Sequence, residues 1–270
     1  MRVMIFCDME GVAGISVWEQ VNGGAALYEE GRRLYTAEVN AAVRGCKRAG
    51  ATEISVIDGH GAGGAWNFKS LIPEQLESGA TYVLGHPWCR YIAPLEAGCD
   101  AILFVGAHAM AGTPDGILCH TVSSQAWYNA TINGTLVGES GIVAAIAGTF
   151  DCPCVFVSGD AATCREVKAL LGDKVVEAAV KEGLSRYSAR HMPSGDACAL
   201  IEGRVYNALV ARNWPEPLKF TAPVTFSVQL ATPDRSVDMV GKPGVEVVDP
   251  RHITSTADNF WKAWDQFWYR

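Results

Sequence analysis

The chain has 270 residues, 49% of them hydrophobic and 19% charged, which is the balance of a globular protein with a substantial core. Its 22 Lys and Arg against 29 Asp and Glu leave a formal charge of −7. That argues against a nucleic-acid partner, which needs clustered cations, and it is the wrong sign for an anionic membrane surface.

Residues 3–7 are apolar throughout and read as a buried strand. The run ends at Asp8, short of the roughly 7–15 apolar residues of a secretory leader and of the roughly 18 of a membrane span. Over residues 30–49, Tyr35, Val39, Val43 and Cys46 recur at helical spacing, with Gly50 placed to cap the end. Residues 53–57 and 101–105 read as further strands. Residues 130–132 lead into the hairpin signal Asn133-Gly134. A helix is expected over 141–150, a strand over 154–157, and a helix closed by Gly172.

Apolar strands alternating with helices predict an α/β fold, a mostly parallel sheet flanked by helices. The tail reads differently. It has a helix over 196–212, an alternating strand over 224–230, and a last helix over 256–269 with Phe260, Trp264, Phe267 and Trp268 on one face. We read residues 1–192 as a catalytic α/β domain and 193–270 as a C-terminal α+β subdomain. The aromatic stripe is expected to be core or a subunit contact rather than a ligand platform. Nine cysteines, odd in number and without a C-x-x-C pair, suggest neither a disulfide framework nor a zinc ribbon, and they suit a reducing cytoplasm.

In sheets of this kind, ligands gather beyond the carboxyl ends of the strands. There the sequence places Asp8 and Glu10, then Asp58-Gly59-His60, Gly106-Ala107-His108, Gly138-Glu139 and Ser158-Gly159-Asp160. Taken alone, Asp160 is an N-cap and Glu139 a first-turn acid. Taken together, Asp8, Glu10, His60, His108 and Glu139 offer three carboxylates and two imidazoles, a donor set for zinc or a pair of such ions. Side chains alternate along an extended chain, so Asp8 and Glu10 are expected on one side as a two-pronged metal hook. Paired metal ions in hydrolases sit about 3.5–4 Å apart and make hydroxide available near neutral pH. His120 lies outside this set and could act as acid, base or nucleophile, or simply be a core histidine. His86, His191 and His252 read as structural, and Asp115 and Asp160 could hold supporting roles.

Two motifs compete for attention. Residues 59–64 match G-x-G-x-x-G, but the next stretch starts a helix poorly. Asp8-Met9-Glu10 resembles the nucleophile loop of haloacid-dehalogenase-like phosphatases, a magnesium-dependent alternative that leaves His60, His108 and Glu139 without a task.

The whole chain resembles the D-aminopeptidase family of zinc metallopeptidases. The matching stretches are DMEGVAG (8–14), YEEGRRLYTAEVNAAV (28–43), IDGHG (57–61), GAHAMAGTPDG (106–116), HT (120–121), NGTLVGESG (133–141), VSGD (157–160) and AAVKEGLSR (178–186). The resemblance implies two zinc ions held by Asp8, Glu10, His60, His108 and Glu139, and a catalytic, nucleophilic role for His120. It also implies a homo-oligomer, a decamer of two stacked pentameric rings, that releases N-terminal residues, often of D-configuration, from short peptides and amides. The glycine-rich loop after His60 departs from the family's more polar segment and bears on the D-preference. A non-enzymatic peptide-binding protein is the remaining alternative.

Overall fold

The computed structural model describes residues 1–85 and 90–268, so His86 and Cys89 lie outside the described residues. In chain order come β1 (Arg2–Cys7), α1 (Tyr28–Arg48), β2 (Glu53–Asp58), β3 (Thr81–Val83), α2 (Ala93–Glu96), β4 (Ala101–Ala107), β5 (Trp127–Ile132) and β6 (Thr135–Val137). Next are α3 (Glu139–Thr149), β7 (Cys154–Asp160), α4 (Ala161–Leu171), β8 (Val176–Ser185), β9 (Ser188–His191) and α5 (Ser194–Ala211). The chain closes with β10 (Val224–Leu230), α6 (Asp234–Val237), β11 (Val245–Asp249), β12 (His252–Ala257) and α7 (Phe260–Trp268).

Seven strands form one sheet in the order β3-β2-β1-β4-β7-β8-β9, parallel except for the β8–β9 pair. Five form a second, antiparallel sheet in the order β11-β12-β10-β5-β6. The expected mixed α/β fold with a mostly parallel sheet is therefore present. Strands from both sides of residue 192 share the second sheet, and α5, which comes after that residue, packs on α1.

Both faces of the parallel sheet are covered, which is why its central strands are apolar without alternation. Val3, Ile5 and Cys7 of β1 join a core with Val39 and Val43 of α1 and Ile201 and Val205 of α5. Met4, from the same strand, joins the opposite core with Ile142 and Ile146 of α3 and Phe226 of β10. The α1–α5 contact is close because residue 45 is glycine. A Cβ there would lie 2.7 Å from the Glu202 carbonyl oxygen. Asn133 and Gly134 turn β5 into β6 with φ of 47° and 80°, as the hairpin signal requires.

Phe260, Trp264 and Phe267 of α7 are buried around Phe226, with ring centroids 5.5, 5.7 and 5.5 Å from it. The aromatic stripe is core. The Trp268 side chain and Tyr269 lie outside the described residues. The helix begins later than expected, because residues 252–257 form β12 instead. Ile253 and Ser255 alternate inward there and pair with β10 and β11, a pattern that suits a strand of β-branched residues. The described cysteines are free thiols. No helix among the described residues is long and apolar enough to cross a membrane.

Candidate metal centre

The sheet order reverses between β1 and β4, because β1 leads to β2 on one side while β4 lies on the other. The crevice beyond the carboxyl ends of these two strands is where open α/β sheets bind ligands. Asp8 comes directly after β1, and its N–H donates to the Val105 carbonyl at 2.9 Å. The chain does not continue extended. It bends at Met9 and turns at Glu10, with the Val12 N–H closing on the Met9 carbonyl at 3.1 Å. Asp8 and Glu10 therefore face one cavity because of a turn, not because of strand alternation. Gly11 is required by crowding: its N–H donates to the Gly106 carbonyl at 2.9 Å, and a Cβ would lie 1.9 Å from the Ala107 carbonyl oxygen.

His60 lies just past β2. Its Nδ1 is 2.7 Å from Ser70 Oγ, and its Nε2 is 3.6 Å from Glu10 Oε1. The loop behind it is fixed by Asp58, whose carboxylate accepts from the N–H groups of Ser70 (2.6 Å) and Leu71 (2.9 Å) and from the Tyr35 hydroxyl (3.0 Å). His108 lies just past β4. Its Nδ1 donates to the Ala109 carbonyl at 3.0 Å, so in the neutral ring Nε2 carries the lone pair. That Nε2 lies 3.4 Å from Asp8 Oδ2 and 3.1 Å from Glu139 Oε1, yet it is buried without a hydrogen bond, as is Glu10 Oε2.

Glu139 is the first residue of α3, and its Oε1 accepts from the Val122 N–H at 2.7 Å. His120 sits on a loop whose Leu118 adopts φ +50°. Its Nδ1 donates to the Leu118 carbonyl at 2.9 Å, and its Nε2 is 3.7 Å from Glu139 Oε1. The ring stacks on His108 at 4.1 Å and meets the edge of Trp18 at 5.7 Å. Arg186 braces this loop. Its guanidinium donates to the Cys119 carbonyl at 3.1 Å, and its own carbonyl accepts the Leu118 N–H at 2.9 Å.

The charges are strongly interdependent. Burial, then the neighbouring Glu10 carboxylate, pushes Asp8 up to about 7. Burial would also raise Glu10, but the imidazolium of His60 holds it well below the usual carboxylate range. Against the burial that disfavours its charge, Glu10 raises His60 to about 9, and Glu139 likewise raises His108. His120 is lowered by burial and by the adjacent His108.

The structure thus brings all six expected residues together. Asp8, Glu10, His60, His120 and Glu139 line a cavity of about 350 Å³, with His108 touching Asp8 and Glu139. Two overlapping triads, Asp8–Glu10–His108 and His108–His120–Glu139, each keep their ligand atoms within 4.8 Å of one another, and His60 belongs to neither. Buried nitrogen and oxygen atoms without hydrogen bonds, converging from several elements, fit a zinc-like cation.

The supporting residues divide. Asp160 caps α4 through the Thr163 N–H (2.7 Å) and also holds the Ile117 N–H (2.8 Å). Asp115 pairs with Arg165. His191 accepts from the Gly14 N–H at 3.0 Å, and His252 pairs with Asp249 at 2.6 Å. Residues 59–64 lead into a single 3-10 turn, Gly64–Trp66, and not into an α-helix, so they lack the anion-binding α-helix N-terminus that the dinucleotide motif requires.

Sequence reasoning missed Lys181. It is only 3% exposed, and its Nζ donates to the Glu10, Val12 and Ile15 carbonyls. Lys181 next to Glu182 in AAVKEG looks like part of an exposed charged face, and the sequence carries no other signal of its role.

A family model described as D-aminopeptidase matches residues 1–269. The chain belongs to the D-aminopeptidase family. A D-aminopeptidase of Bacillus subtilis (strain 168) is 29% identical over 251 residues, spanning 92% of this chain and 88% of that relative. Among solved structures, the Zn-dependent D-aminopeptidase DppA from Bacillus subtilis, a self-compartmentalizing protease, superposes with a TM-score of 0.90 at 27% identity. The superposition covers 99% of this chain and 95% of that one. Family membership agrees with the resemblance carried by the sequence motifs.

Proposed function

We propose that this chain is a zinc-dependent aminopeptidase that releases N-terminal residues, D-residues among them, from short peptides or amides. The observation that carries this reading is His108 Nε2, buried without a hydrogen bond between the carboxylates of Asp8 and Glu139. The zinc dependence of the superposed relative supports it. Asp8, Glu10, His60, His108 and Glu139 would hold two zinc ions. Zinc, when bound, polarises the scissile carbonyl and makes a water nucleophile available near neutral pH.

The chain's own residues do the rest. The substrate's amine, as the free base, and its scissile carbonyl would meet this metal-bearing floor. His120, protonated at Nδ1 toward the Leu118 carbonyl and held toward its neutral form by burial, accepts a proton at Nε2 and returns it to the leaving amine. In this reading His120 is the catalytic residue, as general base or as the attacking group. The Asp160 arrangement favours no phosphatase reading, since that carboxylate is occupied by two backbone N–H groups.

The self-compartmentalizing assembly of the relative supports a closed homo-oligomer here, which we read as a decamer of two pentameric rings working in the cytoplasm. Elemental analysis of chelator-free protein, run beside an amide-hydrolysis assay, tests the central claim. About two zinc per chain with hydrolysis supports it. No metal uptake and no cleavage after adding zinc would sink it. Sedimentation of the same preparation reads the ring count.

A further inference from the structure

The same cavity has a second, apolar end. Glu139, Ile142, Val143 and Ile146 stand at positions i, i+3, i+4 and i+7 of α3, so one face of one helix presents a carboxylate and then three aliphatic side chains to the cavity. Tyr91 and Trp264 complete this lobe, with Trp264 Nε1 donating to the Tyr91 hydroxyl at 3.1 Å. None of these five lobe residues carries a formal charge.

Resting on the aminopeptidase reading, we propose that this lobe takes the side chain of the substrate's N-terminal residue and selects large apolar side chains over alanine. The argument is one of connectivity. The free amine and the scissile carbonyl are both attached to one α-carbon, and both would be held at the metal-bearing floor. The third substituent on that carbon must then point away from the floor, and the apolar lobe lies beside it. The leaving peptide is polar and ends in a carboxylate, for which the lobe holds no cationic side chain, so it extends toward solvent. Burying the side chain in the lobe strengthens binding in proportion to the apolar area removed from water.

The test is a series of Ala, Leu, Phe and Lys amides in D and L forms, hydrolysed by the zinc-loaded protein, so that handedness and side-chain class are read separately. The expected result in the hydrolysed series is a kcat/KM for Leu and Phe amides at least about 10-fold above Ala, with Lys lowest. Val143→Phe, which fills the lobe, should lower the Phe-to-Ala ratio about 10-fold, and Ile146→Ala, which enlarges it, should raise that ratio. Zinc content shows that each variant is folded.

Equal or better use of Ala by the unaltered protein would overturn the inference while leaving the aminopeptidase reading intact. So would ratios that neither variant moves. Failure to cleave any amide would instead overturn the aminopeptidase reading itself.

Discussion

The ammonium of Lys181 is buried beneath the turn that carries Glu10, 2.5 Å from the main-chain carbonyl oxygen of Glu10 itself. The same Nζ reaches the carbonyls of Val12 at 2.8 Å and Ile15 at 2.7 Å. All three donors of the ammonium are used, and three carbonyls of an irregular loop are satisfied at one point. Lys181→Met keeps the bulk and removes the donors. It should cost about 3 kcal/mol or more, since each buried carbonyl left unpaired costs about 1–3 kcal/mol. Thermal melting and zinc content of the variant check this, with both expected to fall.

His120 and the proposed ligands should separate in a metal assay. His120→Ala is expected to retain zinc and lose about 10²–10⁴ in kcat, the usual weight of a positioned acid–base group. His108→Ala is expected to lose zinc as well as activity, because His108 Nε2 is shared by both candidate triads. Zinc loss in His120→Ala would move His120 into the ligand set.

Removal of metal should be reversible. Treatment with a chelator is expected to abolish amide hydrolysis, and stoichiometric zinc is expected to restore it. The apo protein should also melt at a lower temperature, since ligand binding to the folded state alone raises its stability.

Glu38 gives a pH signature distinct from the metal centre. Its carboxylate is fully buried, accepts from the Ala13 N–H at 2.8 Å, and is raised by burial from 4.5 to about 7. The folded state keeps this proton between those two values while the unfolded state has lost it. Its contribution is therefore full below about pH 4.5 and is lost as pH rises through 7, a swing of roughly 3 kcal/mol. Glu38→Gln keeps an acceptor for Ala13 and cannot ionise. Melting temperatures at pH 5 and pH 8 should lie closer together in this variant than in the unaltered chain.

Much of the centre could be read from the sequence because parallel strands advertise themselves. Both faces of β1, β2, β4 and β7 are covered, so each is a short apolar run, and the first polar residue after each run marks a strand end. The reversal of strand order between the neighbouring β1 and β4 then opens the crevice at which Asp8, Glu10, His60, His108 and Glu139 gather. The hidden parts depend on long-range pairing. β8 carries Glu177, Lys181 and Glu182 and becomes a strand only by pairing with β7 and β9. β12 is rich in Ser and Thr and looks like a helix entry until β10 and β11 flank it. Gly11 signals a turn locally, but its close approach to β4, more than 90 residues away in sequence, is a long-range contact that the sequence pattern does not show.

Helix α3 carries Glu139 at its first residue and the aliphatic face of the cavity over its next two turns. A rigid body cannot shift one end without the other. Any slide or rotation of the helix that reshaped the room for a substrate would drag the carboxylate away from His108. Under the proposed reading, tuning of the cavity from this helix is therefore expected to come from exchanging individual side chains on it, in small discrete steps, rather than from moving the helix.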